Sequence, residues 1–95
     1  MPLFVLSCTD KADSLDLRMA TREAHLAYVR ERLSLVKLAG PYLTADGGMK
    51  GSLLVLDVED EAAARAFRDN DPYFKAGLFQ RIELTSFKVS IGSLG

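Results

Sequence analysis

The sequence predicts a single α+β domain whose elements follow the order β-α-β-β-α-β. Short apolar runs rich in Leu, Val and Phe alternate with two longer segments whose hydrophobic residues recur at helical spacing. A glycine-rich turn separates the second and third strands and makes them a hairpin. The length of 95 residues leaves room for one domain only, which we assign to residues 1–95.

The first strand is predicted over residues 2–8, where an apolar run ends at the turn-forming Thr9-Asp10-Lys11. A polar loop follows, and helix signals begin near Ser14 or Asp16, either of which could be the N-cap. Residues 17–33 are strong helix formers. Their apolar members recur at spacings of three and four, which predicts an amphipathic helix with its buried face at Leu17, Ala20, Ala24, Tyr28 and Val29.

The next two strands are predicted over residues 35–44 and 51–58. Pro41 cannot donate a hydrogen bond to a neighbouring strand, so we expect the second strand at a sheet edge or with a local break. Residues 45–50 form the clearest turn, because Gly47 and Gly48 adopt positive φ without a steric penalty. These glycines are therefore interpreted as hairpin residues rather than as a phosphate-binding loop.

The second helix opens with the acidic residues 59–61, which is favourable to the helix dipole. It should end at Asp71, because Pro72 disfavours helical backbone in the residue before it. A short extra turn is predicted over residues 73–78 and a last strand over residues 80–91. The resulting order is the split βαβ arrangement of ferredoxin-like folds.

The two inner strands are apolar on both faces. Leu3 and Val5 alternate with Phe4 and Leu6 in the first strand, and residues 53–56 are apolar throughout in the third. A strand with two apolar faces is buried on both. Because the helices cover only one face of the sheet, we expect a second copy of the chain to cover the other, in a homodimer that adds burial to a small domain.

Charge and apolar patterning argue against several classes of partner. The net charge is −1 and no cationic stripe is present, so nucleic-acid binding is not expected. The longest apolar runs are too short to cross a bilayer, and the N-terminus lacks the pattern of a signal peptide. We therefore expect a soluble, cytoplasmic protein without a membrane partner.

The residue inventory also argues against a metal or a cofactor. Cys8 is the only cysteine and His25 the only histidine, too few for a usual zinc or iron site or for an internal disulfide. Cys8 lies in an apolar strand pattern, which favours a small buried residue over a reactive thiol. No glycine-rich phosphate loop, dinucleotide fingerprint or nucleophile elbow occurs.

His25 and Asp71 are the candidates for chemistry, and each has a structural alternative. Arg18 and Arg22 precede His25 by seven and three residues, so all three share a helix face. A lone helical histidine is more often a surface residue than a proton carrier, although imidazole can exchange protons near neutral pH. An Asp before Pro is a common N-cap, yet a carboxylate paired with His could fix the imidazole tautomer. The sequence leaves both alternatives open.

Five short motifs resemble the YCII-like (YciI) family of the dimeric α/β-barrel superfamily. They occur in the family's order and span nearly the whole chain: Arg22-Glu23-Ala24-His25-Leu26, Ala39-Gly40-Pro41, Gly51-Ser52, Asn70-Asp71-Pro72-Tyr73 and Ala76-Gly77-Leu78-Phe79. The resemblance implies a ferredoxin-like domain paired into a dimeric α/β barrel. It implies a pocket with the catalytic pair His25 and Asp71, and substrate contacts from Arg22, Gly40, Ser52 and Tyr73.

The same resemblance implies a class of reaction. The family includes a dehydrochlorinase of a chlorinated hydroxyhydroquinone, and its barrel relatives include muconolactone isomerase. We therefore expect a cofactor-independent isomerase or lyase, in which His25 and Asp71 perform acid–base chemistry on a small cyclic or aromatic molecule that can be anionic. One alternative is a non-catalytic dimer that binds or senses a small ligand. Another is a structural module in which the two residues only pack and cap.

Overall fold

A computed structural model describes residues 2–94 and shows an α+β fold of the ferredoxin-like type, as predicted. The sheet has the strand order β2-β3-β1-β4, and all neighbouring strands are antiparallel. The second strand lies at a sheet edge, as its proline required. Along the chain the elements are β1 (Leu3–Asp10), α1 (Leu15–Arg30), β2 (Val36–Leu43), β3 (Met49–Asp57), α2 (Glu61–Asn70), α3 (Pro72–Lys75) and β4 (Phe79–Phe87).

The two inner strands, β1 and β3, separate a covered face of the sheet from an open one. Cross-strand partners share a face, so the pairs Phe4–Leu56, Leu6–Leu54 and Cys8–Ser52 all point toward the helices. These side chains are buried, and they form the core together with Val29, Val36, Ala64 and Phe67. The partners Val5–Val55 and Ser7–Leu53 point to the open face.

The buried face of α1 differs from the predicted one. Its buried residues are Arg18, His25 and Val29, whereas the predicted core residues Leu17, Ala20 and Ala24 are exposed. The helix begins two residues before the predicted start and ends at Arg30 rather than at residue 33. An alanine side chain is small and loses little by staying exposed. The helix instead packs on the sheet through the face that carries Arg18, whose charge can be buried because it is paired.

Two strand boundaries also need correction. The first strand continues through Thr9 and Asp10, which the sequence analysis assigned to a turn, and its register shifts between these two residues. The last strand ends at Phe87, so residues 88–91 are not part of the sheet. Phe87 pairs with Leu3, the first residue of β1, so the ladder between β1 and β4 ends there. None of the three helices within residues 2–94 is long and apolar enough to cross a membrane.

Gly51 lets the strands approach closely beside the site described below. A Cβ at this position would lie 2.3 Å from the carbonyl oxygen of Cys8 and 3.0 Å from Cδ2 of Tyr42. Both distances are shorter than ordinary van der Waals contact, so any other residue would push β1 and β3 apart. The glycine thereby keeps Ser52, the next residue, in register with Cys8.

Candidate functional site

A cavity of about 140 Å³ lies between α1, the strands β2 and β3, and the start of α3. An apolar cavity of roughly this size is known to hold a benzene molecule, so the space suits a ligand of one six-membered ring. Its wall combines charged and polar side chains with apolar ones. The lining residues include Arg18, Arg22, His25, Gly40, Ser52 and Tyr73.

His25 and Asp71 are in direct contact, although 46 positions separate them in the sequence. Nδ1 of His25 lies 2.9 Å from Oδ1 of Asp71, and both side chains are almost fully buried. An ionised carboxylate only accepts hydrogen bonds, so Nδ1 of His25 donates in this contact, and in an uncharged imidazole the other nitrogen, Nε2, is the acceptor. Nε2 then carries the lone pair, and it makes no hydrogen bond with any residue in 2–94. The arrangement leaves a proton acceptor on a side chain that lines the cavity.

Asp71 also caps α3 with the same oxygen atom. The backbone N–H of Tyr73 donates to Oδ1 at 2.9 Å, and Pro72 occupies the first turn, where its missing N–H costs nothing. Asp71 therefore makes both contacts that the sequence left as alternatives, the N-cap of α3 and the hydrogen bond with His25. The cap fixes the carboxylate, and the carboxylate fixes the imidazole.

The ring of Tyr73 forms a wall against which the imidazole packs. The two rings are stacked, with centroids 4.0 Å apart and planes inclined by 15°. Phe79 contacts the Tyr73 ring edge-on, at a centroid distance of 6.0 Å. Burial raises the pKa of the Tyr73 hydroxyl, against a smaller lowering by the guanidinium charges of Arg18 and Arg22. Tyr73 is accordingly a neutral aromatic wall at physiological pH.

Arg18 is the charged residue that sequence reasoning did not assign to the site. Its side chain is buried and forms a bidentate ion pair with Asp10, with Nε and Nη2 at 2.7 and 3.0 Å from the two carboxylate oxygens. Nη2 also donates to Oγ of Ser52 at 2.8 Å, and the guanidinium carbon lies 4.6 Å from the Tyr73 ring centroid. The spacing of 18, 22, 25 and 29 along one helix face was the available signal. The role of Asp10 required knowing that β1 extends beyond Cys8.

The predicted contact residues Arg22, Gly40, Ser52 and Tyr73 all line the cavity. Arg22 is half-buried and makes no hydrogen bond or ion pair with the described residues, so its guanidinium is available to an anion. Gly40 lies on the edge strand, and a Cβ there would have no atom within 4 Å. Asp71 contacts the site through His25 and is not itself among the lining residues.

Cys8 lies beneath the site and is fully buried, as the sequence predicted. Burial, reinforced by the negative charges of Asp71 and Asp10, raises the pKa of its thiol to about 12. A protonated thiol is a poor nucleophile, so Cys8 acts as a packing residue. Within residues 2–94 no group of three His, Cys, Asp or Glu side chains is placed to hold a metal ion.

Comparison with known proteins identifies the family. The model of the YCII-related domain matches residues 2–88. The chain belongs to the YCII-related family. Protein YciI of Escherichia coli O6:H1 is 37% identical over 98 residues, which covers 90% of this chain and 96% of that protein. An uncharacterized protein of Haemophilus influenzae is 30% identical over 93 residues, covering 90% and 95% of the two chains.

The fold is shared with solved structures, one of which contains a ligand. The dehydrochlorinase of 5-chloro-2-hydroxyhydroquinone (TftG) from Burkholderia phenoliruptrix AC1100, in complex with 2,5-dihydroxybenzoquinone, superposes with a TM-score of 0.85 at 34% identity. The match covers 90% of this chain and 93% of TftG. An antibiotic biosynthesis monooxygenase superposes with a TM-score of 0.60 at 8% identity, covering 96% and 100% of the two chains, and shows the fold alone.

Proposed function

We propose that this protein catalyses proton transfer on a small, oxygen-bearing ring, with His25 as the acid–base group. The proposal rests on two side chains that line the same cavity of about 140 Å³: His25, whose Nε2 makes no hydrogen bond with residues 2–94, and Arg22, whose guanidinium makes none either. The acceptor would take a proton from the ligand, and the electron pair left behind would become an enolate or phenolate. Arg22 would stabilise that anion.

Asp71 would act on the imidazole and not on the ligand. Its carboxylate holds Nδ1 in the protonated form and stabilises the positive charge that arises when Nε2 takes up a proton. Proton transfer of this kind uses side-chain groups alone, which agrees with the expectation that no cofactor or metal is needed. The ligand of TftG, 2,5-dihydroxybenzoquinone, has the ring size and the acidic oxygens that this cavity suits.

The test measures binding and turnover separately. We expect the protein to bind 2,5-dihydroxybenzoquinone, followed by its absorbance, and to speed the exchange of its ring hydrogens with D₂O, followed by mass spectrometry. His25→Asn places an amide near the position of Nδ1 but removes Nε2, so it should still bind the quinone and lose the exchange. Arg22→Met should weaken binding about ten- to hundredfold, the value of a charge-assisted hydrogen bond. Binding without any acceleration of exchange would favour the non-catalytic, ligand-sensing alternative.

We further propose that the working unit is a homodimer formed through the open face of the sheet. Leu38 on β2 is 52% exposed and Phe87 on β4 is 46% exposed, and both lie on this face, opposite Val55 and Leu3 respectively. The face is apolar over β3 and the start of β1 and polar along most of β4, and a grouped set of exposed apolar residues marks an interaction site. A second copy would cover it and supply burial that a chain of this length lacks. Neither a nucleic-acid nor a membrane partner is proposed, and we expect a cytoplasmic location.

Sedimentation equilibrium at micromolar concentration tests the dimer. Leu53→Glu places a charge in the centre of the open face and should give monomers or unfolded chains. The control is Leu33→Glu, because Leu33 lies in the turn after α1 and is 65% exposed. A parent protein that sediments as a monomer would contradict this proposal and leave the proton-transfer proposal to its own test.

A further inference from the structure

The hairpin of β2 and β3 contains a β-bulge at Lys50. Tyr42 on β2 pairs with Gly51 on β3, but the next residue of β2, Leu43, pairs with Met49. Lys50 therefore has no partner on β2. An extra residue in one strand interrupts the regular alternation of side chains between the two faces of a sheet. Bulges of this kind occur beside functional sites, where they redirect a side chain.

The bulge turns Met49 toward the helices. Ser52 points to the covered face, so in an unbroken strand residue 50 would share that face and Met49 would point to the open one. Met49 is instead the partner of Leu43. Leu43 lies two positions from Pro41, the partner of Ser52, and is therefore on the covered face. Met49 accordingly lines the cavity of the candidate site, together with Pro41 and Ser52.

A second cavity, which we call the outer cavity, lies on the other side of Met49. It has a volume of about 250 Å³ and is formed by residues 9–15 together with Met49 and Lys50. Residues 9–15 comprise the end of β1, the loop after it and the first residue of α1. Among residues 2–94, Met49 alone lines both cavities. Its half-buried side chain is therefore the wall between them.

From this geometry we propose that Met49 determines the size of the ligand and selects against a ring with a substituent directed toward the outer cavity. The inference rests on the proposed function, because it concerns the ligand of the same cavity. One six-membered ring fills a cavity of about 140 Å³, so such a substituent has room only where the side chain of Met49 lies.

The selection acts through affinity. A methionine side chain is flexible and can be displaced, but its displacement costs the contacts that it makes in the wall. Substitution by alanine removes Cγ, Sδ and Cε and joins the two cavities. Met49 is thus a specificity-determining residue of the site and takes no part in proton transfer.

The experiment combines an enlarged ligand with a shortened side chain. The probes are 2,5-dihydroxybenzoquinone and 2,5-dihydroxy-3-propyl-1,4-benzoquinone, whose three added carbons match the three heavy atoms that Met49→Ala removes. Titration calorimetry measures both affinities. We expect the parent to prefer the unsubstituted quinone by about tenfold or more, the usual effect of overpacking. Met49→Ala should prefer the propyl compound by up to about sixtyfold, because each buried methylene contributes roughly fourfold in affinity.

Two further variants complete the comparison. Leu43→Ala shortens the cross-strand neighbour of Met49, which is 56% exposed and lines neither cavity, so it should keep the parental preference. Met49→Val shortens the wall with a residue that suits a strand, so it should fold even if the alanine variant does not. It should shift the preference toward the propyl compound by a smaller factor. Urea unfolding of each variant establishes that it is folded.

The outcomes separate this inference from the proposed function. If the parent binds the two quinones equally, or if the folded Met49 variants keep the parental preference, Met49 does not select for size and the inference is wrong. If Leu43→Ala shifts the preference as much as Met49→Ala does, the effect belongs to the hairpin as a whole and the inference is again wrong. In each of these cases the proposed function stands, because the unsubstituted quinone still binds. If neither the parent nor Met49→Ala binds that quinone, the proposed function fails and the inference fails with it.

Discussion

Substitutions at Asp71 distinguish the contribution of its acceptor oxygen to stability from the contribution of its negative charge to proton transfer. In Asp71→Ala the Nδ1–H of His25 and the backbone N–H of Tyr73 both lose their acceptor in a buried site. Each unsatisfied donor costs about 1–3 kcal/mol, which gives roughly 2–6 kcal/mol for the two donors. A domain of this size has a free energy of unfolding of about 5–15 kcal/mol, so the loss is large but need not unfold the protein. The melting temperature should fall by about 10–50 °C.

In Asp71→Asn the amide oxygen can occupy the position of Oδ1 and accept from the same two donors. We expect the free energy of unfolding to change by about 1 kcal/mol, because asparagine is as good an N-cap as aspartate. The neutral amide cannot stabilise an imidazolium, so deuterium exchange into the quinone should be lost while the fold is kept. If both expectations hold, the oxygen of residue 71 accounts for its effect on the free energy of unfolding, and its negative charge accounts for the deuterium exchange.

Urea unfolding and the ¹⁵N spectrum of the His25 ring provide the measurements. The spectrum should show the tautomer protonated at Nδ1 in the parent and in Asp71→Asn. If Asp71→Asn destabilises the protein as much as Asp71→Ala does, the buried charge, and not the hydrogen-bond geometry, stabilises the contacts between His25 and the start of α3. If alanine costs less than about 1 kcal/mol, the contacts of Asp71 are not formed in solution.

Two further predictions concern stability. Gly51→Ala should lower the free energy of unfolding by more than about 2 kcal/mol, because its Cβ would lie 2.3 Å from the carbonyl oxygen of Cys8. Gly40→Ala is the matched control, has no atom within 4 Å of the added carbon, and should be tolerated. The pKa of Cys8 is raised from its ordinary value of 9.0 to about 12, so its contribution to stability is complete below pH 9 and is lost as the pH rises toward 12. Urea unfolding should show a fall of about 1 kcal/mol between pH 9 and 10 that is missing in Cys8→Ala, and equal slopes in the two proteins would contradict this reasoning.

The order of elements could be read from the sequence because it depends on local signals. Pro72 ends α2, Pro41 confines β2 to an edge, and the glycines after residue 46 close the hairpin. The buried face of α1 could not be read in this way. Apolar periodicity favoured Leu17 and the alanines, but Arg18 is buried because Asp10 and Ser52 on two different strands satisfy it. A partner supplied by tertiary structure has no signature in the local sequence.

The same limit explains why the two readings of Asp71 looked like alternatives. Oδ1 of Asp71 accepts hydrogen bonds from both His25 and the backbone of Tyr73, and the spacing of these residues in the sequence could not predict this shared geometry. Three side chains that line the cavity use only part of their hydrogen-bonding capacity within the fold. Among the described residues, His25 forms a hydrogen bond through Nδ1 but not Nε2, Ser52 accepts one but donates none, and Arg18 donates from Nε and Nη2 but not from Nη1. Because the first bond of each side chain fixes its orientation, the second points in a defined direction before any ligand arrives, which is the condition for selective binding of a small ring.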